Sequence, residues 1–346
     1  MPASYSIVQI NEIREAARDF RIFTFAQSPN IQYKAGQYLT FIHTLNGNEI
    51  RRSYSMTSCP GLDQSISIGV KRIANGFYSR LLVDYGKVGD ELVTSGAGGL
   101  FVLPEEIQKY KQLLFFAAGS GITPIYSIIK FALHFKPWLR IVLIYSAASQ
   151  SNAIFYEELQ LLQSQFRERF SIQWLFSSSP DLSGARLYRE SLIHFVKYFS
   201  IATLSEMLFY VCGPLSYMRM CTFVLTEMGV PPDNIKRENF LIAQPRPSIA
   251  PPPEKQSHMA IIHFRGLQYK VPVHYPDSIL QAARKQGIAL PYSCETGRCA
   301  NCVARRIKGD VWLSYNEVLT DTDLAKGLTL TCVGHPQGGN VELVIG

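Results

Sequence analysis

The chain lacks any apolar run of the ~18–20 residues that a membrane-crossing helix needs, and no basic-then-apolar leader stands in residues 1–38. It also lacks the dense cysteine pattern of a secreted disulfide scaffold, with seven cysteines in 346 residues, unevenly placed. These absences predict a cytoplasmic, reducing setting and no membrane role. No Lys/Arg run is present, so the net charge of +7 is dispersed. Dispersed charge argues against nucleic acid and leaves room for nucleotide phosphates or an acidic partner surface. There is no internal repeat and no G-x-G-x-x-G fingerprint. What is there is an ordinary apolar fraction of 47%, in a chain long enough for two or three domains.

Short β-branched and aromatic runs at 22–25, 38–42 and 66–70 are separated by the breakers Ser28-Pro29-Asn30, Asn46-Gly47-Asn48 and Cys59-Pro60-Gly61. Over residues 1–105 this predicts an antiparallel barrel or sandwich. The pattern then changes. Apolar strands at 113–118, 141–145, 172–176 and 207–212 alternate with helical stretches at 124–134, 154–165, 187–199 and 215–228, which predicts a parallel α/β sheet over 106–243. Pro245, Pro247, Pro251, Pro252 and Pro253 mark a stiff linker at 244–257. Residues 258–346 follow as a small α+β unit, with a hairpin at 260–274, a helix at 278–285 and a closing strand at 341–345.

The densest chemistry lies in that last unit. Cys294, Cys299, Cys302 and the distant Cys332 have the C-x₄-C-x₂-C…C spacing of a plant-type [2Fe–2S] cluster. Gly297 and the small Ala300 would let backbone amides approach the cluster sulfurs. The rival readings are a zinc site, which usually uses paired C-x₂-C knuckles of which there is one here, or free thiols. Cys59, Cys212 and Cys221 are scattered, and the histidines at 258, 263, 274 and 335 show no ligand spacing. Trp312 reads as core packing.

A cluster needs an electron source upstream. Arg52-Ser53-Tyr54-Ser55 offers a guanidinium for a phosphate, an aromatic ring to stack and small hydroxyls, although a basic surface turn would look similar. Val70 and Lys71, then Gly76, Phe77 and Ser79, supply a cation and a glycine turn; Ser79 is expected at a helix start, where free amides bind anions. A glycine-rich loop is expected over 96–101. Gly119, Gly121, Ile122, Thr123 and Pro124 lie between strand and helix, with Thr123 as expected cap and Pro124 as first helical residue. Cys212, Gly213 and Pro214 end an apolar strand, where ligands of open parallel sheets bind; a buried structural cysteine is the alternative.

In this order the motifs resemble the ferredoxin–NADP reductase family with a fused C-terminal plant-type ferredoxin, over essentially the whole chain. The resemblance implies FAD in the barrel, a nicotinamide nucleotide on the α/β sheet, and a β-grasp ferredoxin domain. It places Ser55, Thr123 and Cys212 near the hydride path and makes Glu238-Asn239-Phe240 the end of the reductase module. It also implies a protein electron acceptor, an oxygenase component as in related oxygenase reductases. A ring-hydroxylating dioxygenase, a cytochrome, or a redox-sensing carrier with a degenerate reductase half are the alternatives. The family's G-P-x-G-x-F loop lacks its proline here, at Gly96-Ala97-Gly98-Gly99-Leu100-Phe101. After the second nucleotide strand stands Ser146-Ala147-Ala148-Ser149, without an acidic residue for ribose hydroxyls. Ser146 and Arg186 are then the expected partners of a 2′-phosphate, favouring NADPH over NADH.

Overall fold

The structure, a computed structural model, describes residues 5–26, 31–45, 47–180, 184–240 and 251–345. It divides into two compact units, Ser6–Phe240 and a C-terminal one from Leu241 onward.

The first unit begins with six antiparallel strands: β1 (Ser6–Ala17), β2 (Phe20–Phe25), β3 (Tyr38–Leu45), β4 (Asn48–Ser55), β5 (Ser67–Lys71) and, after a short helix α1 (Phe77–Arg80), β6 (Glu91–Gly98). Their order is β4-β3-β6-β1-β2-β5. A bridge from Met56 to Ile68 joins the end of β4 to β5 and closes the sheet on itself. The period-2 alternation sends Phe23, Phe25, Leu39, Phe41, Ile68 and Val70 into one core. The expected loop at 96–101 is a correction: Gly96 and Gly98 belong to β6, and β6 pairs with β3 through a register shift. Gly96 takes φ +100° at that shift, so it serves a bulge in a strand, whereas Gly99 to Phe101 follow the strand as loop.

A parallel sheet follows: β7 (Gln112–Ala118), α2 (Ile122–Phe135), β8 (Arg140–Ala147), α3 (Tyr156–Gln165), β9 (Phe170–Phe176), α4 (Arg189–Phe199), β10 (Met207–Cys212), α5 (Leu215–Glu227) and β11 (Ile235–Glu238). Apolar side chains bury both faces. Leu113 and Phe115 pack on the α2 side, Leu114 and Phe116 on the α4–α5 side. The strand order β11-β10-β7-β8-β9 reverses direction between β7 and β10. That is the switch point where a crevice opens at the carboxyl ends, and the turns after both strands carry the predicted nucleotide motifs.

The C-terminal unit contains β12 (His258–Phe264), β13 (Leu267–Val273), α6 (Ile279–Lys285), β14 (Val303–Leu313), α7 (Asp321–Ala325), β15 (Leu328–Leu330) and β16 (Gly334–Ile345), ordered β13-β12-β16-β14-β15. Ser278 and Gln281 cap α6 reciprocally. Pro245 and Pro247 lie outside the described residues. Glu254 and Ser257, expected in the linker, are already tied to this unit: Gly338 N–H donates to Glu254 at 3.1 Å and Ser257 Oγ pairs with His274 Nδ1 at 2.7 Å.

Candidate functional site

In the C-terminal unit the four cysteines meet two by two. Cys294 hydrogen-bonds Cys299, and Cys302 hydrogen-bonds Cys332. The Cys299 hydrogen bond holds the Cys294 thiol down at about 5, while the Cys302 contact and burial push Cys332 up. Backbone N–H groups turn inward: Thr296 N–H donates to Cys294 Sγ at 3.4 Å, with Arg298 on the same sulfur, Asn301 on Cys299 and Gly297 on Cys332. The loop achieves this by left-handed backbone at Glu295, Gly297 and Ala300. A Cβ on Gly297 would lie 2.7 Å from the Tyr315 carbonyl, so no other residue fits.

Three buried side-chain donors in the same loop, Thr296 Oγ1, Arg298 Nη1 and Asn301 Nδ2, have no hydrogen-bond partner. Orphaned buried donors are costly and need acceptors, which cluster sulfurs would supply. Among the described residues no three or more His, Cys, Asp or Glu side chains surround a single ion position. Thiols paired two by two instead suit two irons, each held by two thiolates. The residues fit a [2Fe–2S] cluster.

In the first unit, Arg52, Ser53, Tyr54 and Ser55 lie on β4, and Val70 and Lys71 end β5. Tyr54 stacks on Tyr78 with centroids 6.2 Å apart, which draws α1 and its flanking Gly76 and Phe77 to the same strand. Ser53 Oγ bonds Thr40 Oγ1 at 2.9 Å. Arg52 Nη1 donates to the Arg51 carbonyl at 2.7 Å and has no carboxylate partner among the described residues, a cation left for an anionic ligand. Ser79 corrects the expectation. It is the third residue of a four-residue helix, buried, its hydroxyl donating to the Gly76 carbonyl at 3.2 Å and accepting from Ile73 N–H. Its hydroxyl is spent on shaping the turn rather than facing a ligand. The open Arg52, the half-buried Tyr54 and the glycine turn fit a flavin nucleotide.

At the switch point, Gly119 adopts φ +54° and its carbonyl accepts from Tyr145 Oη at 3.1 Å. Tyr145 also accepts the Ile154 N–H at 3.1 Å, so this fully buried tyrosine pins the nucleotide turn from beneath. Sequence reasoning missed it, because Tyr145 sits inside an apolar run. A Cβ on Gly121 would come within 2.1 Å of the Cys212 carbonyl oxygen, and one on Gly213 within 2.8 Å of Ala118 Cβ. The two nucleotide motifs are therefore in contact. Thr123 does not cap α2: the helix starts at Ile122, no side chain caps it, and Thr123 Oγ1 donates back to the Ser120 carbonyl at 2.7 Å. Pro124 is accordingly the third helical residue, where its missing N–H still costs nothing. The Ile122 N–H is taken by the turn before it, but α2 has no side-chain cap, so its positive end fits a phosphate.

Thr123 Cγ2 also lies 2.8 Å from where a Cβ on Gly69 of β5 would stand. A seam runs from Ser55 through the Met56–Ile68 bridge to Gly69, Thr123, Gly121 and Cys212. Ser146 Oγ, at the end of β8, is buried against the Tyr217 hydroxyl, and Arg186 is exposed after β9; no described contact joins them. Cys212 is buried and burial pushes its thiol far up. Beside it in register, Glu238 has a sealed Oε2 with no partner, and burial pushes its carboxyl up to about 8. The residue as a whole keeps some exposed surface, but the sealed oxygen governs its ionisation, so Glu238 is neutral at pH 7. No spacing signal could have found it.

Three family profiles match in order: an oxidoreductase FAD-binding domain over residues 7–103, an oxidoreductase NAD-binding domain over 115–222, and a 2Fe-2S iron-sulfur cluster binding domain over 262–337. The chain is an NAD(P)H-dependent flavin and iron–sulfur reductase. The reductase is 28% identical to a component of the 1,2-phenylacetyl-CoA epoxidase of Escherichia coli (strain K12), over 98% of this chain and 97% of that one. It is 28% identical to the ferredoxin reductase component of 3-ketosteroid-9-alpha-monooxygenase of Mycolicibacterium smegmatis, over 97% and 96%. Phthalate dioxygenase reductase shares its fold, with a TM-score of 0.60 at 22% identity over 99% of this chain and 98% of that one. No helix among the described residues is long and apolar enough to cross a membrane.

Proposed function

We propose that the reductase serves an oxygenase component, drawing electrons preferentially from NADPH. When bound, FAD takes a hydride from the nicotinamide and the [2Fe–2S] cluster carries single electrons onward. The protein's own part is placement and charge. Arg52 and Lys71 neutralise flavin phosphates, and Tyr54, Ser53 and Ser55 line the barrel edge. The positive end of the α2 dipole, with the tight glycine turn at Gly119 and Gly121 before it, receives the nucleotide phosphates. Neutral Glu238 keeps negative charge away from Cys212, so the switch-point crevice does not repel an anionic nucleotide. Cys294, Cys299, Cys302 and Cys332 hold the cluster.

The observation that carries this reading is the seam: Gly121 packed on the Cys212 carbonyl while Thr123 touches β5. It brings the nucleotide turn to the barrel edge carrying the flavin motif. The oxygenase acceptor is supported by the two relatives, both components of oxygenating systems. NADPH is supported by the exposed Arg186 and the absence of an acidic residue over 146–149. The test is reconstitution with a co-purifying oxygenase component. NADPH consumption coupled to oxygenated product supports the reading; NADPH oxidation that never couples to any oxygenase overturns the acceptor. An Arg186→Ala variant that leaves the NADPH/NADH preference unchanged overturns the phosphate assignment.

A further inference from the structure

Helix α2 carries the nucleotide turn at its N-terminus, yet one face of it belongs to the barrel. Thr123, Ser127 and Lys130, spaced i, i+4, i+7, share that face. Thr123 meets Gly69 of β5. Ser127, fully buried, donates its hydroxyl to the Ser58 carbonyl at 2.6 Å. Lys130, only 9% exposed, is ion-paired with Asp63. A Cβ on Gly61 would touch Phe135 at 3.4 Å, and one on Gly36 would strike Ile128 Cδ1 at 2.7 Å, so the contact runs the length of the helix.

The gripping loop, residues 56–66, joins the two strands that carry the flavin motifs. It is braced from within. Ser58 Oγ accepts from Tyr33 Oη at 2.8 Å and from Ser67 N–H at 3.0 Å. Thr57 Oγ1 bonds Ser67 Oγ at 2.6 Å. Asp63 Oδ2 takes the Cys59 N–H at 2.7 Å as well as the Lys130 ammonium. Lys130 also lies 4.9 Å over the Tyr126 ring, itself stacked on Phe155 at 4.2 Å. A lysine so buried is costly unless paired, and its partner sits eight residues beyond the β4 motif.

We infer that Ser127 and Lys130 are positioning residues for hydride transfer: with Asp63 they latch α2 to the flavin strands and set where its nucleotide turn stands. Binding of the nucleotide itself uses the α2 turn, β10 and the expected 2′-phosphate partners Ser146 and Arg186, none of which touches the latch, so the latch governs alignment rather than affinity. This rests on the reductase reading, and the experiment separates the two.

FAD- and cluster-loaded Lys130→Met and Ser127→Ala are compared with wild type and Lys130→Arg. Flavin reduction by NADPH in a stopped-flow instrument falls tenfold or more in Lys130→Met, a small displacement being enough for such losses. The dissociation constant of NADP⁺ stays within about threefold, the kcat-against-KM split of lost alignment. Lys130→Arg restores most of the rate. Hydrogen exchange on the cofactor-free protein speeds up at 119–126 but not in β1–β3. Ser127→Ala shows the same pattern more weakly and serves if Lys130→Met does not fold. A reduction rate within twofold of wild type in both variants, or exchange that rises evenly through the whole unit, overturns the latch. A wild-type protein whose bound flavin neither nucleotide reduces overturns the reductase reading instead.

Discussion

Replacing Glu238 by glutamine should stabilise the protein, and increasingly so as pH rises. In the folded chain burial moves the Glu238 carboxyl from an ordinary 4.5 to about 8. The native state therefore holds its proton across a window in which the unfolded chain releases it. Below pH 4.5 both states are protonated and the residue contributes nothing to pH dependence. Between 4.5 and 8 native stability falls with each pH step, and above 8 the full penalty of a buried carboxylate remains. At about 1.4 kcal/mol per pH step the window is worth roughly 5 kcal/mol, an upper bound that water entry lowers. Glutamine keeps the shape and the neutral state at every pH. Thermal melts of the FAD-loaded protein, followed by flavin fluorescence, should nearly coincide at pH 5. By pH 8 they should separate in favour of Glu238→Gln by on the order of 10 °C for a unit of this size. Wild type and variant melting in parallel from pH 5 to 9 would refute the reasoning, since it would mean the carboxylate is ionised and solvated.

Two further outcomes follow from the same geometry. Gly121→Ala puts a methyl 2.1 Å from the Cys212 carbonyl oxygen, so the α2 turn must move; NADP⁺ affinity measured by calorimetry falls by about tenfold or more, an overpacking cost of ~1–3 kcal/mol, while FAD content is retained. Arg298→Leu removes a buried guanidinium that pairs with Glu317 at 3.0 Å and leaves Nη1 free toward an acceptor. With one positive charge fewer beside the cluster loop, the cluster's midpoint potential, followed by spectroelectrochemistry, moves negative by on the order of tens of millivolts.

Much of the fold was legible because its signals are local. Continuous apolar strands such as 113–118 and 207–212 have few alternatives to a buried parallel sheet, and the cysteine spacing is a covalent requirement of the site. What escaped was set by tertiary context. Strand β14 carries a charged, broken pattern, with Arg305, Arg306 and Lys308 along it, because one side faces solvent, and β15 is only three residues long. Gly96 looked like a loop because a bulge inside a strand uses the same residue. Thr123 has the right chemistry to cap a helix, but α2 starts two residues earlier and the hydroxyl turns back to Ser120. Tyr145, Lys130 and Glu238 act through partners 26, 67 and 26 positions away, at Gly119, Asp63 and Cys212, which no single-sequence periodicity encodes. Ser257 and Glu254 were read as linker because composition reports stiffness, not the hydrogen bonds that the chain finds on its neighbours.

The central claim is an electron path from NAD(P)H through FAD to the four-cysteine cluster. Its most direct test is an anaerobic NADPH titration of the loaded protein, read simultaneously by flavin absorbance and by low-temperature EPR. The flavin band should bleach and a one-electron [2Fe–2S] signal appear, and Cys332→Ser should retain the bleaching but lose the signal together with iron. A cluster signal that persists undiminished in Cys332→Ser, or a loaded wild-type protein in which NADPH changes neither spectrum, would contradict it.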